Sequence, residues 1–489
     1  METEVAAPKD TDVRASSISA AEADPIFGIE IHGLDPIPAE HRHGEPRSLL
    51  WLWLGGGFNY ITLVTGALAI IFGLSLVEAI LAVVIGSVVG ALVPGLISII
   101  GPRTATATIV NTRAPFGLNG NFPAALISWA SASGWVAVNS VLAIFALVQL
   151  AGLAGLNGPV VKGLCVVLVL AGQVAIALFG HATVVASERV FFVVSTLLLF
   201  GLTAFALPHV QWSHPAGKLI VSSEFGAFML ALSVFFASMI SWVNYAADYT
   251  RYYPEATSRP RLVLWTSLGI GLSAIVGGIM GSLLATAVDM SNPIANLPKI
   301  LPTWYLVPFL IAVIWGATAN NVLNLYTAGL GLLALRILVP RWIAVALVGA
   351  LATVLTFIAV FVYDFTSLYA AWLSLTIILL APWAAILLVD YFVRKGRYDS
   401  AALHTWGTGA YWYRGGFNWP ALAVYFIGIV ASLMFASSTL WTGPLAQFVG
   451  GADLSIFTGL LVTGVLYYLL ASRQIGRRPM PGAEVSQPA

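Results

Sequence analysis

Apolar runs of about 20 residues recur along the whole chain, the length a helix needs to cross roughly 30 Å of hydrocarbon. They predict twelve spans, at about 49–72, 76–99, 123–150, 159–180, 189–208, 226–247, 262–288, 304–335, 341–362, 366–393, 418–438 and 455–472. Spans three and eight are long enough to tilt. Short polar or Pro/Gly-bearing connections separate the runs, such as Gly101-Pro102-Arg103 and Ser291-Asn292-Pro293. The pattern predicts an all-α polytopic membrane protein whose helical domain occupies residues 48–473, flanked by polar tails at 1–47 and 474–489.

Basic residues orient the spans. Of the 22 Lys and Arg, only Lys162, Lys218 and Lys299 fall on the side opposite the N-terminus. Under the positive-inside rule this places both termini in the cytoplasm, in a bacterial inner membrane or a plasma membrane. Residues 1–47 show no basic n-region followed by an apolar stretch, so they read as a cytosolic tail and not a cleaved signal.

Composition agrees. Hydrophobic residues make up 59% and charged residues 9%, too little charge to cover a water-soluble surface. The net charge of +1 points to no nucleic-acid partner. The single cysteine, Cys165, excludes an intrachain disulfide and reads as a small buried hydrophobe.

Acidic residues near the membrane (Glu78, Asp248, Asp289, Asp364 and Asp390) sit at or close to span ends, and the seven histidines lie in tails, loops or span termini. A carboxylate proton wire is therefore not visible, and a charged solute would lack a partner. No cluster at metal-ligand spacing, no Ser–His pair within one span and no filter motif appears, so neither an enzyme nor a channel is expected and no cofactor is implied.

What remains inside is neutral, polar and aromatic. Span one carries Gly55, Gly56 and Gly57 before Phe58 and Asn59. Three glycines weaken a helix by about 1 kcal/mol each and permit unwinding around a cavity, where free carbonyls bind a cation; they equally permit close helix packing. In span three Trp135 and Asn139 are four apart, on one helical face. A flat ring beside an amide suits a planar heterocycle, and also suits an ordinary packed Trp with an interhelical hydrogen bond. Span six ends with Ser241, Trp242, Val243, Asn244 and Tyr245, and span eight holds Asn320, Asn321 and Asn324. Three amides in five apolar-flanked positions are costly unless each is satisfied, which favours a functional role.

Five stretches, in order, resemble the nucleobase:cation symporter-1 family, purine–cytosine permease branch. They are Gly28 to Pro38, Gly101 to Asn121, Asp248 to Pro254, Ala381 to Tyr398 and Tyr413 to Trp419. The resemblance implies a LeuT-type fold. Helices one to five (about 49–208) and six to ten (about 226–393) would be inverted repeats, with helices eleven and twelve (about 418–472) added. Helices one and six would break at the substrate site.

Carried over by position, Trp135 and Trp242 would stack on a heterocycle, Asn139 and Asn324 would bond its edge, Asn320 or Asn321 would lie nearby, and Asn59 would contribute from helix one. A cation, Na⁺ or H⁺, would be coupled. For Na⁺ the ligands would be the carbonyls from Gly55, Gly56, Gly57 and Phe58 with the Thr318 hydroxyl; Ala319 stands where the family often has a second hydroxyl. The implied function is cation-coupled import of a neutral nucleobase, cytosine or a purine, by alternating access. Hydantoin, allantoin, uracil or a vitamin heterocycle are alternative solutes, and a non-transporting receptor is the alternative of another class. The expected partners are that solute and the lipid bilayer.

Overall fold

The computed structural model describes residues 34–179, 181–337, 341–362 and 364–475. Among them nine helices are long and apolar enough to cross a membrane, and a bent pair makes a tenth. Two shorter apolar helices fill the ninth and eleventh places in chain order, so each of the twelve predicted spans is helical.

Helix one is the bent pair, Ser48–Gly57 and Tyr60–Ile71. Helices two to five are Leu76–Ser98, Phe122–Leu153, Pro159–Phe179 and His181–Ala206. Helix six runs Glu224–Ile240, tightens into a 3₁₀ turn at Ser241–Asn244 and resumes briefly at Ala246–Thr250. Helices seven to ten are Arg259–Ala287, Thr303–Ala334, Arg341–Phe361 and Phe365–Val393. Helix eleven is Trp419–Phe435, and helix twelve runs from Ser455 to Ile475 through a π-helical turn at Thr458–Val462.

Local signals set several starts. Ser75 and Glu78 form a reciprocal capping box at helix two. Ser223 accepts from the Gly226 N–H at 2.9 Å at helix six, and Asp364 from the Ser367 N–H at 2.9 Å at helix ten.

Burial sorts the helices into a core and a lipid-facing shell. On helix two, Val77, Leu81, Ile85, Val88, Val89 and Leu92 are all exposed at helical spacing, a continuous apolar stripe that only hydrocarbon satisfies. The apolar window of helix six is 83% buried and that of helix ten 72%, whereas that of helix five is 22% buried. Helices six and ten are therefore central. Helix three packs most extensively on helix eight, and helix seven on helix two and on the second half of helix one.

Glycines make the closest of these contacts possible. A Cβ on Gly66 would sit 2.1 Å from the Gly278 carbonyl, and one on Gly281 would sit 1.8 Å from the Leu63 carbonyl. Only bare backbone fits where helices one and seven touch.

The site-bearing helices are tied down at the end of the bundle that carries the N-terminal segment. Asp390, fully buried, accepts from Arg394 Nε, Tyr398 Oη and Tyr467 Oη, each at 2.8 Å, joining helices ten and twelve and the loop between ten and eleven. Asp248 accepts from the Thr108 N–H at 2.7 Å while Thr108 Oγ1 accepts from the Ala247 N–H at 2.9 Å. Of the expected N-terminal tail, residues 34–47 cross this end: Ile37 N–H reaches the Ala105 carbonyl at 2.9 Å and His43 N–H the Tyr252 carbonyl at 2.6 Å. Residues 1–33 and 476–489, with the beginning of the Gly28 to Pro38 stretch, lie outside the described residues.

Two local details differ from the hydropathy reading. Span six, read as continuous over 226–247, leaves the α-helix at Ile240. In helix one the three glycines stay helical, and the chain breaks just after them, at Phe58 and Asn59.

Candidate functional site

The break turns the two halves of helix one by 63°. Asn59 is extended (φ −142°, ψ 177°), which ends the first half and starts the second. The carbonyls freed by the break find side chains. Gly56 O accepts from Asn59 Nδ2 at 3.2 Å and from Asn320 Nδ2 at 3.0 Å. Gly57 O accepts from Asn59 N–H at 3.2 Å and from Thr62 Oγ1 at 2.6 Å. The break thus falls where capping amides stand ready, and Gly57 makes room for Ser273 of helix seven, whose Oγ a Cβ there would meet at 2.3 Å. Among the described residues the Gly55 and Phe58 carbonyls accept no hydrogen bond.

Helix six answers across the gap. Its 3₁₀ turn presents Trp242 edge-on to Trp53, with ring centroids 5.4 Å apart at 72°, and to Tyr245 at 5.4 Å and 60°. Between the two breaks lies a small cavity. Trp135, Asn139, Trp242, Asn320, Asn324 and Asn59 all line it, together with Gly57 and Tyr245. The Trp135 indole N–H is buried and has no partner among the described residues. Above Trp135, Tyr369 of helix ten packs edge-on at 6.2 Å and bonds Thr65 of helix one through the two hydroxyls at 2.7 Å.

A second, larger cavity adjoins the first and shares Asn59, Asn139 and Asn320 with it. Gly55, Gly56 and Phe58 form one wall and Gly316, Ala317 and Ala319 the other. Thr318 is buried beside this wall, and its hydroxyl donates to the Ile314 carbonyl at 2.8 Å. Neither cavity has an acidic or basic side chain among the described residues of its walls, and the described residues include no cluster of three or more His, Cys, Asp or Glu.

The amides form one chain. Asn139 Nδ2 donates to Asn320 Oδ1 at 3.2 Å and to Asn321 Oδ1 at 3.1 Å. Asn324 Nδ2 donates to Asn320 Oδ1 at 3.1 Å, and Tyr245 Oη donates to Asn324 Oδ1 at 2.7 Å. Asn321, although adjacent to Asn320, turns the other way, its Nδ2 reaching the Val136 carbonyl, Ser140 Oγ and Gln173 Oε1 at 3.0 to 3.1 Å. Sequence reasoning did not single out Tyr245, Tyr369 or Gln173. Tyr245 was detectable in principle, three residues after Trp242 on the same turn. Gln173 and Tyr369 are lone polar or aromatic positions in apolar runs and carried no signal.

What this arrangement can do is hold a flat, uncharged molecule between aromatic surfaces with amides at its edge. Among the described residues of the walls no charge pairs with an ion of the solute, and no nucleophile–base pair lines the cavities.

Comparison with known proteins gives the same direction. The sequence profile described as a permease for cytosine/purines, uracil, thiamine and allantoin matches residues 36–459. A Bacillus subtilis protein, YxlA, described as a candidate purine–cytosine permease, is 28% identical over 463 residues, covering 92% of this chain and 97% of its own. The purine–cytosine permease fcyB of Emericella nidulans is 23% identical over 481 residues, 92% of this chain and 89% of its own. The solved structure of Mhp1, a nucleobase–cation–symport-1 family transporter in a closed conformation with bromovinylhydantoin bound, superposes with a TM-score of 0.72 at 19% identity. It covers 92% of this chain and 96% of that one, and shows that the fold is the same LeuT-type bundle.

Proposed function

The chain belongs to the family of permeases for cytosine/purines, uracil, thiamine and allantoin, and from that premise we propose that it imports a neutral planar nucleobase, cytosine or a purine, together with a cation. It is a multi-pass membrane transporter and not an enzyme. The observation that carries the substrate reading is the shared wall of Trp135, Trp242, Asn139, Asn320 and Asn324 on one uncharged cavity beside two broken helices. Stacking would hold the ring by its faces, and the amides would bond its edge.

In the proposed cycle the solute enters from the side of Tyr369, settles against Trp135 and Trp242, and the surrounding helices close over it. One set of helices then tilts against the other and opens the site to the opposite side. A cation drives this only by binding the two states with different affinity. At the break Gly55 O and Phe58 O accept no hydrogen bond among the described residues, and Thr318 Oγ1 retains lone pairs. We take the ion to be Na⁺, because these oxygens can coordinate it and no carboxylate lies among the described residues of the walls to carry a proton. With Ala319 lacking a hydroxyl, the ion would be weakly held. The distribution of Lys and Arg supports a plasma or inner membrane location with both termini in the cytoplasm.

The test is tryptophan-fluorescence titration of the purified full-length protein with cytosine, adenine, hypoxanthine, uracil, allantoin and benzylhydantoin, with and without sodium. A saturable quench by cytosine or a purine, abolished in Trp135→Ala and tightened by sodium, is expected. Absence of any response to the nucleobases would overturn the substrate reading. Accumulation against a gradient in vesicles separates a transporter from a receptor.

A further inference from the structure

Asn320 and Asn321 are consecutive on helix eight, yet two main-chain carbonyls turn their amides in fixed directions. Asn320 Nδ2 donates to Gly56 O and Asn321 Nδ2 to Val136 O, each at 3.0 Å. A carbonyl only accepts, so both Nδ2 groups are committed away from Asn139 and both Oδ1 atoms are left toward it. Asn139 Nδ2 donates to the two of them. Its two hydrogens are then spent, and Asn139 Oδ1 accepts no hydrogen bond among the described residues although Asn139 lines both cavities. Turning the amide over would set its oxygen against two other oxygens.

Behind Asn321 stands Gln173 of helix four, 2% exposed, whose Oε1 accepts from Asn321 Nδ2 at 3.0 Å and from Ser140 Oγ at 2.7 Å. On the other side Asn324 has one Nδ2 hydrogen on Asn320 and its Oδ1 on Tyr245, which leaves one hydrogen without an acceptor among the described residues.

We propose that Asn321 and Gln173 are positioning residues that do not touch the solute but fix the direction of the Asn139 amide, so that the cavity offers an acceptor at Asn139 and a donor at Asn324. This rests on the nucleobase reading above and refines it. The solute must bring an N–H to Asn139 and a lone pair to Asn324, and a ring of the same shape with that order reversed is rejected. Nucleobases are suited to such a test because they share an outline and differ in the order of donors and acceptors.

The experiment measures dissociation constants of cytosine, uracil and isocytosine on the full-length protein by tryptophan fluorescence. Cytosine and uracil share N1–H and O2 but exchange donor and acceptor at N3 and position 4, and isocytosine carries its amino group at position 2 and its carbonyl at position 4. The wild type is expected to prefer one of them over another by at least about tenfold, the factor one discriminating hydrogen bond supports. In Asn321→Ala the Asn139 amide loses one of the two acceptors that hold it, and the ratio is expected to fall within about threefold. In Gln173→Met the Asn321 amide keeps Val136 O and Ser140 Oγ but loses its third partner, and the ratio is expected to fall by less. Gln173→Glu, which as a protonated carboxyl keeps the acceptor oxygen, is expected to retain the wild-type ratio. A merely structural role would weaken all three ligands together and leave the ratio unchanged. The proposal is overturned if the wild type binds the three alike, if both disrupting variants keep its ratio, or if Gln173→Glu behaves as Gln173→Met does. Failure of the wild type to bind any of the three would instead overturn the nucleobase reading itself.

Discussion

The side-chain amide of Asn320 donates to the main-chain carbonyl of Gly56 at 3.0 Å, joining the middle of helix eight to the break in helix one. A carbonyl exposed by a helix break inside a membrane has no water to turn to, and leaving it unpaired costs several kcal/mol. Asn320 shares that carbonyl with Asn59 and connects the break to the rest of the amide chain. Movement of the first half of helix one is thereby coupled to the amides that line the cavity.

Asn320→Ala is expected to reduce initial uptake in proteoliposomes by tenfold or more, since it strips partners from Gly56 O, Asn139 and Asn324 at about 1–3 kcal/mol for each group left unpaired. Asn320→Asp keeps the acceptor for Asn139 and Asn324 but loses the donor to Gly56 O, and is expected to be comparably defective. Normal uptake by both variants, at equal protein per vesicle, would remove this link from the mechanism.

The aromatic walls give a graded prediction. Trp135→Ala is expected to weaken solute affinity by roughly 1–3 kcal/mol, by analogy with base–aromatic stacking, and Trp135→Phe by less. Asn324→Ala is expected to be worse than Trp135→Phe, because a polar edge of the solute goes unpaired in a dry site. Titration of the three variants with the solute found for the wild type checks the order. Equal effects would count against edge bonding by Asn324.

Close packing of helices one and seven predicts a stability effect separable from transport chemistry. A Cβ on Gly281 would meet the Leu63 carbonyl at 1.8 Å, a contact that only backbone displacement relieves. Gly281→Ala is expected to destabilise the purified protein by about 1–3 kcal/mol, the usual range for overpacking, read as a lowered thermal midpoint in detergent. Gly55→Ala, with nothing within 4 Å of the added atom, is the matched control and should leave the midpoint close to wild type.

Asp390 anchors one end of helix ten. Asp390→Asn removes the charge opposite Arg394, and breaking a buried pair in this way typically costs about 3–5 kcal/mol. Tyr467→Phe loses one hydrogen bond of 2.8 Å and is expected to cost about 1 kcal/mol. Thermal unfolding of the two variants should show that ranking, whereas solute affinity in whatever folded protein remains should change little. A thermal midpoint unaffected by Asp390→Asn would mean that the cluster does not hold helix ten.

Most of the fold, and the residue types that line the candidate cavity, were legible in the sequence. Hydrophobic periodicity and length specify a helix wherever no water is present to accept an open backbone, so the spans follow from composition alone. The glycines at 55–57 marked the right turn of helix one, and Trp135 with Asn139 marked a face whose side chains do line the cavity. The position of the break was shifted by two residues because local propensity at Gly55 to Gly57 was outweighed by the capping of Gly56 O and Gly57 O.

Three amides in five residues could equally have pointed at the solute, at one another or at a neighbouring helix. Sequence determined that Asn320, Asn321 and Asn324 stand in a membrane span and need partners. Only the tertiary structure decided that Asn320 caps helix one and that Asn321 turns to Val136 and Gln173. The reason is physical: an amide's direction is set by the donors and acceptors it meets, and these are brought beside helix eight from helices one, three and four by packing that no local pattern encodes.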